Sequence, residues 1–385
     1  MYRLNDAAKP IVEKARRLAR ESLAPAAGIV DSEARFPREA VDALGENGFF
    51  GLVLPAKSGG QWQTPSTFAA VVEELAQACS STAMIYVMHV TASQVIAAST
   101  TFADRDDLLR EIAAGRHLTT LAFSERGARS QFWAPVSQLE ETEGDFVTSA
   151  QKSWITSASH ADSYVSSAQS PGAESPLESV LYLIDRTADG VRIDAEFDGL
   201  GLRGNDSAPA TFDNVAVPRG ALLTELGAGN PAMLDIVLPW FVVGSSAMAN
   251  GLCRAAVSAA TRHLSSSRFE NEDRALRDLP NLRARLARMN VRTEQSRALL
   301  AHTATAMERP DESTLLSVLQ SRLAAVEAAT EVTDLAMKAC GGAAFSRHLG
   351  VERLFRDARA GWVMAPTADH LLDFVGRALT GLPLF

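Results

Sequence analysis

The spacing of apolar residues changes twice along this chain, and that change limits its fold more than any other feature. From residue 1 to about 117, apolar residues recur at three- and four-residue steps, as in Ser66–Ala78 and Thr82–Ala98. Such steps gather them on one face of a helix. Leu54-Pro55 and the Gly59-Gly60 pair interrupt this part as turns. From about 118 to 227, short runs rich in β-branched and aromatic residues take over: Phe146-Val147, Ser153–Thr156, Val180–Ile184, Val191–Ile193 and Thr211–Val217. Gly, Asp, Ser and Pro separate them, which predicts an antiparallel β domain of short strands. From about 228 to 385 the helical step returns. Leu315, Leu319, Leu323, Val326, Thr330, Thr333 and Met337 fall on one helix face. Asp311 or Ser313 is placed to cap this helix and Gly341-Gly342 to stop it. A length of roughly 25–30 residues is expected, as in a bundle. The expected fold class is α+β, with an N-terminal helical domain (1–117), a β-barrel-like middle domain (118–227) and a C-terminal four-helix bundle (228–385).

With 385 residues the chain can bury a large core and form two or three domains. Its net charge of −9 argues against a broad nucleic-acid surface, which needs clustered Lys and Arg. Cys79, Cys253 and Cys340 are far apart, form no C-x-x-C and make no metal-ligand spacing with His. A reducing cytoplasm is the expected setting, and the charged N-terminal segment lacks the apolar region of a signal peptide. Ile236 to Cys253 carries no charge and has the length of a membrane span. Its Pro239, Gly244, Ser245, Ser246 and Asn250, and Asp235 beside it, favour a buried bundle helix and no membrane contact.

Several segments carry chemistry. Trp154 and Thr156 alternate along one expected strand, so they share a face, one as a flat apolar wall and the other as a hydroxyl donor. Read alone, Trp154 is more often a core residue. Phe123-Ser124-Glu125-Arg126-Gly127-Ala128-Arg129-Ser130 reads as a polar turn whose Gly127 permits close approach of a ligand. Arg126 and Arg129 there suit an anionic group or surface ion pairs.

Taken in order, these segments resemble the acyl-CoA dehydrogenase family over nearly the whole chain. Val351-Glu352-Arg353-Leu354-Phe355-Arg356-Asp357-Ala358-Arg359 resembles the family's closing signature. Ser124–Ser130 resembles its Thr-Glu-Pro-Gly-x-Gly-Ser stretch, and Lys152-Ser153-Trp154-Ile155-Thr156 its Lys-x-Trp-Ile-Thr strand. Gly201–Asn205 and Phe212–Pro218 resemble the end of its β domain. The resemblance implies a homodimer or homotetramer that holds FAD and oxidises a thioester. It implies flavin contacts from Phe123, Ser124, Ser130, Trp154, Thr156 and Thr367, and a grip on the adenine half from Arg268, Phe269, Lys338, Gly341 and Gly342. An electron-transfer partner is expected with it.

The chain departs from this pattern in two places. The family removes the substrate α-proton with a glutamate directly before a Gly-Thr pair, and the matching residues here are Ala365, Pro366 and Thr367. Asp369, His370 and Glu270 are the nearest replacement bases, with Glu272 beside the last. The family's Arg-x-x-Phe-Gly and Gln are also altered, to Arg268-Phe269 without Gly and to Lys338, which weakens the case for FAD over FMN. Both departures resemble the family's flavin-dependent monooxygenase relatives. Those enzymes take reduced flavin from a separate reductase and need no such base. In that alternative His89, with Ser157 or Ser159, would act at the flavin, although a lone His on a helix is more often structural.

Overall fold

The computed structural model describes residues 2–384. The first part is helical: α1 (Ala8–Leu18), α2 (Ala24–Ser32), α3 (Arg38–Glu46), α4 (Pro65–Ala78), α5 (Ser80–Ala98) and α6 (Arg105–Ala113). A single π turn, Ala19–Leu23, joins α1 to α2. Helix α4 starts where the Thr64 hydroxyl accepts the Thr67 N–H at 3.3 Å and Pro65 takes the first helical position. Helix α5 is buried nearly all round, with Val87, Val90, Ala92 and Ile96 inaccessible. It is therefore a central helix against which the other parts pack.

Seven strands follow: β1 (Thr119–Ala122), β2 (Leu139–Glu141), β3 (Phe146–Ile155), β4 (Ser163–Gln169), β5 (Ser179–Asp185), β6 (Val191–Ile193) and β7 (Ala208–Val217). They form two sheets, ordered β1-β4-β5 and β2-β3-β7-β6. Two expectations need correction. The runs at 146–147 and 153–156 belong largely to one strand, β3, which ends at Ile155. The domain is not wholly antiparallel either, because β1 pairs β4 in parallel. Residues 123–162 lie between those strands, enough chain for the crossover that parallel pairing requires. Strand β4 is buried on both faces and so has no alternation to read.

The last part holds α7 (Gly229–Ala232), α8 (Leu238–Ser266), α9 (Pro280–Ala306), α10 (Thr314–Cys340), α11 (Gly342–Phe345), α12 (Val351–Val363) and α13 (Ala368–Thr380). Helix α10 runs for 27 residues and ends at Gly341, whose φ of 56° a side chain would resist. At its start the Asp311 carboxylate accepts the N–H and hydroxyl of Ser313. The stretches Ser80–Ala98 and Gly229–Ser266 are long and apolar enough to cross a membrane, yet 78% and 67% of their apolar windows are buried inside the protein. Both serve as core helices. One apolar core runs unbroken from α1 through both sheets into α8 and α10. It holds the three parts together around a shared cleft.

Candidate active site

That cleft is a cavity of about 880 Å³. Helix α5 supplies Met84 and Met88, the start of α8 supplies Phe241, and the end of α12 supplies Arg359, Ala360 and Val363. The middle domain supplies the rest, including Phe123, Ser124, Ser130, Trp154 and Thr156.

Trp154 stands out on physical grounds. Its φ is +56°, a region that bulky residues avoid. The β3–β7 register shifts between Lys152 and Ile155, so the strand bulges at this point. A bulge re-aims one side chain, and here it turns the indole out of the sheet and into the cavity with 68% of the residue exposed. Thr156 lies just past the strand end, buried, with Oγ1 at 3.1 Å from Ser207 Oγ. Simple alternation along a strand therefore does not bring these two residues to the cavity. The bulge does.

The neighbouring turn is clamped by a buried ion pair. Lys152 Nζ lies 2.6 Å from Glu125 Oε1, with the two side chains 0% and 2% exposed. Glu125 also accepts the Val136 N–H at 2.6 Å, the Ser137 N–H at 2.8 Å and the Ser137 hydroxyl at 2.5 Å. Burial pushes its carboxyl up, but Lys152 and Ser137 outweigh burial and hold it below the usual carboxylate range. Loss of either partner would strand a buried charge, at a cost of about 3–5 kcal/mol. The clamp fixes the turn that carries Ser124, Arg126, Arg129 and Ser130 to the cavity.

Across the cleft, Gly201 and Leu202 dock on α12. The buried Asp357 carboxylate accepts the Leu202 N–H at 2.7 Å, and burial pushes its carboxyl up to about 6. Arg356 binds both carboxylate oxygens of Asp31, at 2.7 and 2.5 Å, and so ties α12 to α2.

The cavity's charge is one-sided. Its carboxylates, among the described residues, are Glu125 and Asp198. Glu125 is committed to the clamp, and Asp198 is solvent-exposed and paired with Arg203 at 3.3 Å. Arg126, Arg129, Arg356 and Arg359 also line it. Asn205 Oδ1 is buried there without a hydrogen-bond partner. A flat aromatic wall, hydroxyls at Ser124, Ser130 and Thr156, and this free acceptor fit a flat ring with a polar, hydrogen-bonding edge, as an isoalloxazine has.

Comparison with known proteins agrees with this geometry. Residues 5–116 match the acyl-CoA dehydrogenase N-terminal domain, residues 120–215 its middle domain and residues 238–380 its C-terminal domain. The chain belongs to the acyl-CoA dehydrogenase family. Members of this family are flavin-dependent oxidoreductases. Cyclohex-1-ene-1-carbonyl-CoA dehydrogenase from Geobacter metallireducens is 26% identical over 98% of this chain and 99% of its own length. The structure of butyryl-CoA dehydrogenase from Megasphaera elsdenii superposes with a TM-score of 0.93 at 21% identity, covering 99% of this chain and 100% of its own. The FAD complex of PigA gives 0.91 at 19% identity, covering 99% of each chain.

The acyl-CoA dehydrogenase fold sorts the residues expected from sequence. Phe123, Ser124, Ser130, Trp154 and Thr156 meet in the cavity, and Ala365 lines it as well. The expected bases do not line it. Asp369 is exposed at the start of α13, and Glu270 is exposed in the segment between α8 and α9. His370 packs against Trp133 and stacks on Phe374. His89 is fully buried in α5, tilted over Phe50, and its Nδ1 accepts the Thr119 N–H at 3.2 Å. Burial and then the neighbouring His117 push its imidazole down to about 3, so it is a neutral structural histidine. Ser157 and Ser159 are absent from the lining as well. The Thr367 hydroxyl caps α13 by accepting the His370 N–H at 3.3 Å and does not reach the cavity. Arg268, Phe269, Lys338, Gly341 and Gly342 are exposed and lie outside the cavity lining, with Lys338 bonded to Asp334 at 2.6 Å.

Sequence reasoning missed Met84, Met88, Asn205, Phe241 and Arg359. Met84 and Met88 share α5, the other three come from separate segments, and no single local pattern links the set. The cue for Arg359 was present, since it closes the signature run, but its cavity position follows from packing alone.

Proposed function

We propose that this chain holds FAD against Trp154 and oxidises an acyl thioester, nominally by α,β-dehydrogenation of an acyl-CoA or acyl-carrier substrate. The observation that carries this reading is the strained Trp154, swung by a bulge into a cavity large enough for a flavin ring and an acyl chain. Thr156, Ser130 and Asn205 would bond the ring's polar edge, while Met84, Met88 and Phe241 exclude water from the reacting face. The bound flavin would supply the two-electron acceptor. Arg126 and Arg129 favour a substrate with an anionic head group.

The test is a visible spectrum of the purified protein loaded with FAD, followed anaerobically during addition of a series of saturated acyl-CoA thioesters. Loss of the oxidised-flavin band is expected. A protein that binds FAD and keeps the band with every thioester would contradict dehydrogenation.

One observation favours a second reading. The carboxylates that line the cavity are already engaged by Lys152 and Arg203, and Ala365 replaces the expected base. A site without a free base suits oxygen chemistry with reduced FMN or FAD delivered by a reductase, hydroxylating or N-oxidising a small molecule. Oxygen uptake by the reduced-flavin complex, coupled to substrate hydroxylation, would select it.

We also propose a cytoplasmic homodimer or homotetramer. Three unpaired, buried cysteines support the compartment. Exposed Phe345, Val363 and Leu379, at 85%, 72% and 68%, support the assembly.

A further inference from the structure

Arg322 lies on α10 and is fully buried, at 0% exposure. No carboxylate stands within ion-pair distance of it among the described residues, and burial alone shifts it, down to about 10. Nη2 donates one long bond, 3.4 Å, to the Gly361 carbonyl. Nε and Nη1 have no partner. Cζ stands 5.5 Å from the centroid of the Phe241 ring.

Burying an unpaired guanidinium is costly, and a methionine of similar reach would fill the space without that cost. The group stays charged at neutral pH. Its location gives the charge a use. Phe241 lines the cavity, and so does Ala360, the residue before Gly361. The cation therefore lies one side chain behind the cavity wall. Solvent screens it little there, and its field crosses apolar material where charge interactions exceed those in water. The arginines at the mouth differ, since Arg126 and Arg129 are exposed and Arg359 is half-buried over the Phe355 ring at 3.9 Å.

We infer that Arg322, acting through the Phe241 wall, is a specificity-determining residue that biases the cavity toward an occupant negatively charged at its Phe241–Ala360 end. The inference rests on the cavity being the functional site, but on no particular flavin chemistry. It also offers a reason why a site lacking the usual base can still favour an enolate-like or otherwise anionic ligand.

The test uses two fluorescent probes that share their rings and differ in charge: 1-anilinonaphthalene-8-sulfonate and the uncharged N-phenyl-1-naphthylamine. Both are titrated into the full chain and into Arg322→Met and Arg322→Lys. Arg322→Met is expected to weaken the sulfonate probe about tenfold, equivalent to about 1.4 kcal/mol, with the neutral probe unchanged. Arg322→Lys should restore the preference as pH is lowered and the buried amine gains its proton. Equal weakening of both probes would assign Arg322 to packing, and no change in either would show that its charge is not felt in the cavity. Either result overturns the inference. Should Arg322→Met fail to fold, the same ratio is read in Arg126→Gln/Arg129→Gln/Arg359→Gln, where the lining arginine that remains, Arg356, is neutralised by its ion pair with Asp31. A sulfonate preference that survives there supports the buried charge, and one that vanishes overturns it. Failure of FAD to bind the unaltered chain would sink the flavin reading alone, because the probe ratio needs no flavin.

Discussion

At the residue scale, burial decides which side chains are chemically available. His89 is a candidate from sequence although a lone His on a helix is more often structural, and its environment requires the neutral ring. Its imidazole is near 3 when folded against about 6.5 when unfolded. A group lowered on folding stabilises the native state above its unfolded value and loses that contribution as pH falls. Stability should therefore drop by about 1.4 kcal/mol per pH unit below about 6.5. His89→Asn, which keeps an acceptor near the Thr119 N–H, should flatten that slope in urea melts between pH 6.5 and pH 5. An unchanged slope would mean that other groups control acid stability. Ala365 makes the complementary point, because it lines a cavity whose carboxylates, among the described residues, are the engaged Glu125 and Asp198. Ala365→Glu should speed flavin reduction by a saturated acyl thioester by about 10²-fold, the scale of a positioned base. Stopped-flow absorbance measures this, and an unchanged rate would show that proton removal does not limit the reaction.

At the element scale, close helix crossings and one bulge place the site. Helix α8 crosses α4 at Gly251, where an added Cβ would come 2.6 Å from Ala76 Cβ and 2.7 Å from the Glu73 carbonyl. Gly251→Ala should destabilise by about 1–3 kcal/mol through overpacking. Gly28 in α2 has nothing within 4 Å of an added Cβ, so Gly28→Ala should stabilise by about 0.4–1 kcal/mol. Chemical denaturation of both variants checks the pair, and a stable Gly251→Ala would mean the crossing can relax. The elements also show what a sequence can and cannot reveal. Helices α4 and α10 were legible because each has a cap or a stop, while α5, buried nearly all round, was legible from its long apolar run. Strand β4 was not, since burial on both faces erases alternation. The π turns at Ala19–Leu23 and Met233–Val237 leave no cue in residue spacing. The pairing of Trp154 with Thr156 was legible as a motif, while the bulge that makes it work was not.

At the scale of the whole molecule, the cavity exists only because three parts share one core. Part of its wall could be read locally, from the turn at 124–130 and the strand at 152–156. Another part, from α5, α8 and α12, depends on long-range packing that no short motif encodes. The same limit explains the misplaced bases, since Asp369, His370 and Glu270 were chosen by nearness in sequence to Ala365 or to a family motif. Exposed apolar residues on α11, α12 and α13 lead to an expected assembly. Light scattering should give twice the single-chain mass or four times it, and a single-chain mass would contradict it. The central claim is that a flavin ring lies against the Trp154 indole, and equilibrium dialysis with FAD tests it most directly. The unaltered chain should bind one FAD per chain, and Trp154→Ala should weaken binding at least about tenfold, in line with the ~1–3 kcal/mol that base–aromatic stacking is worth, while its melting temperature stays within a few degrees, because the indole is largely exposed. Equal FAD affinity in the two proteins would contradict the account.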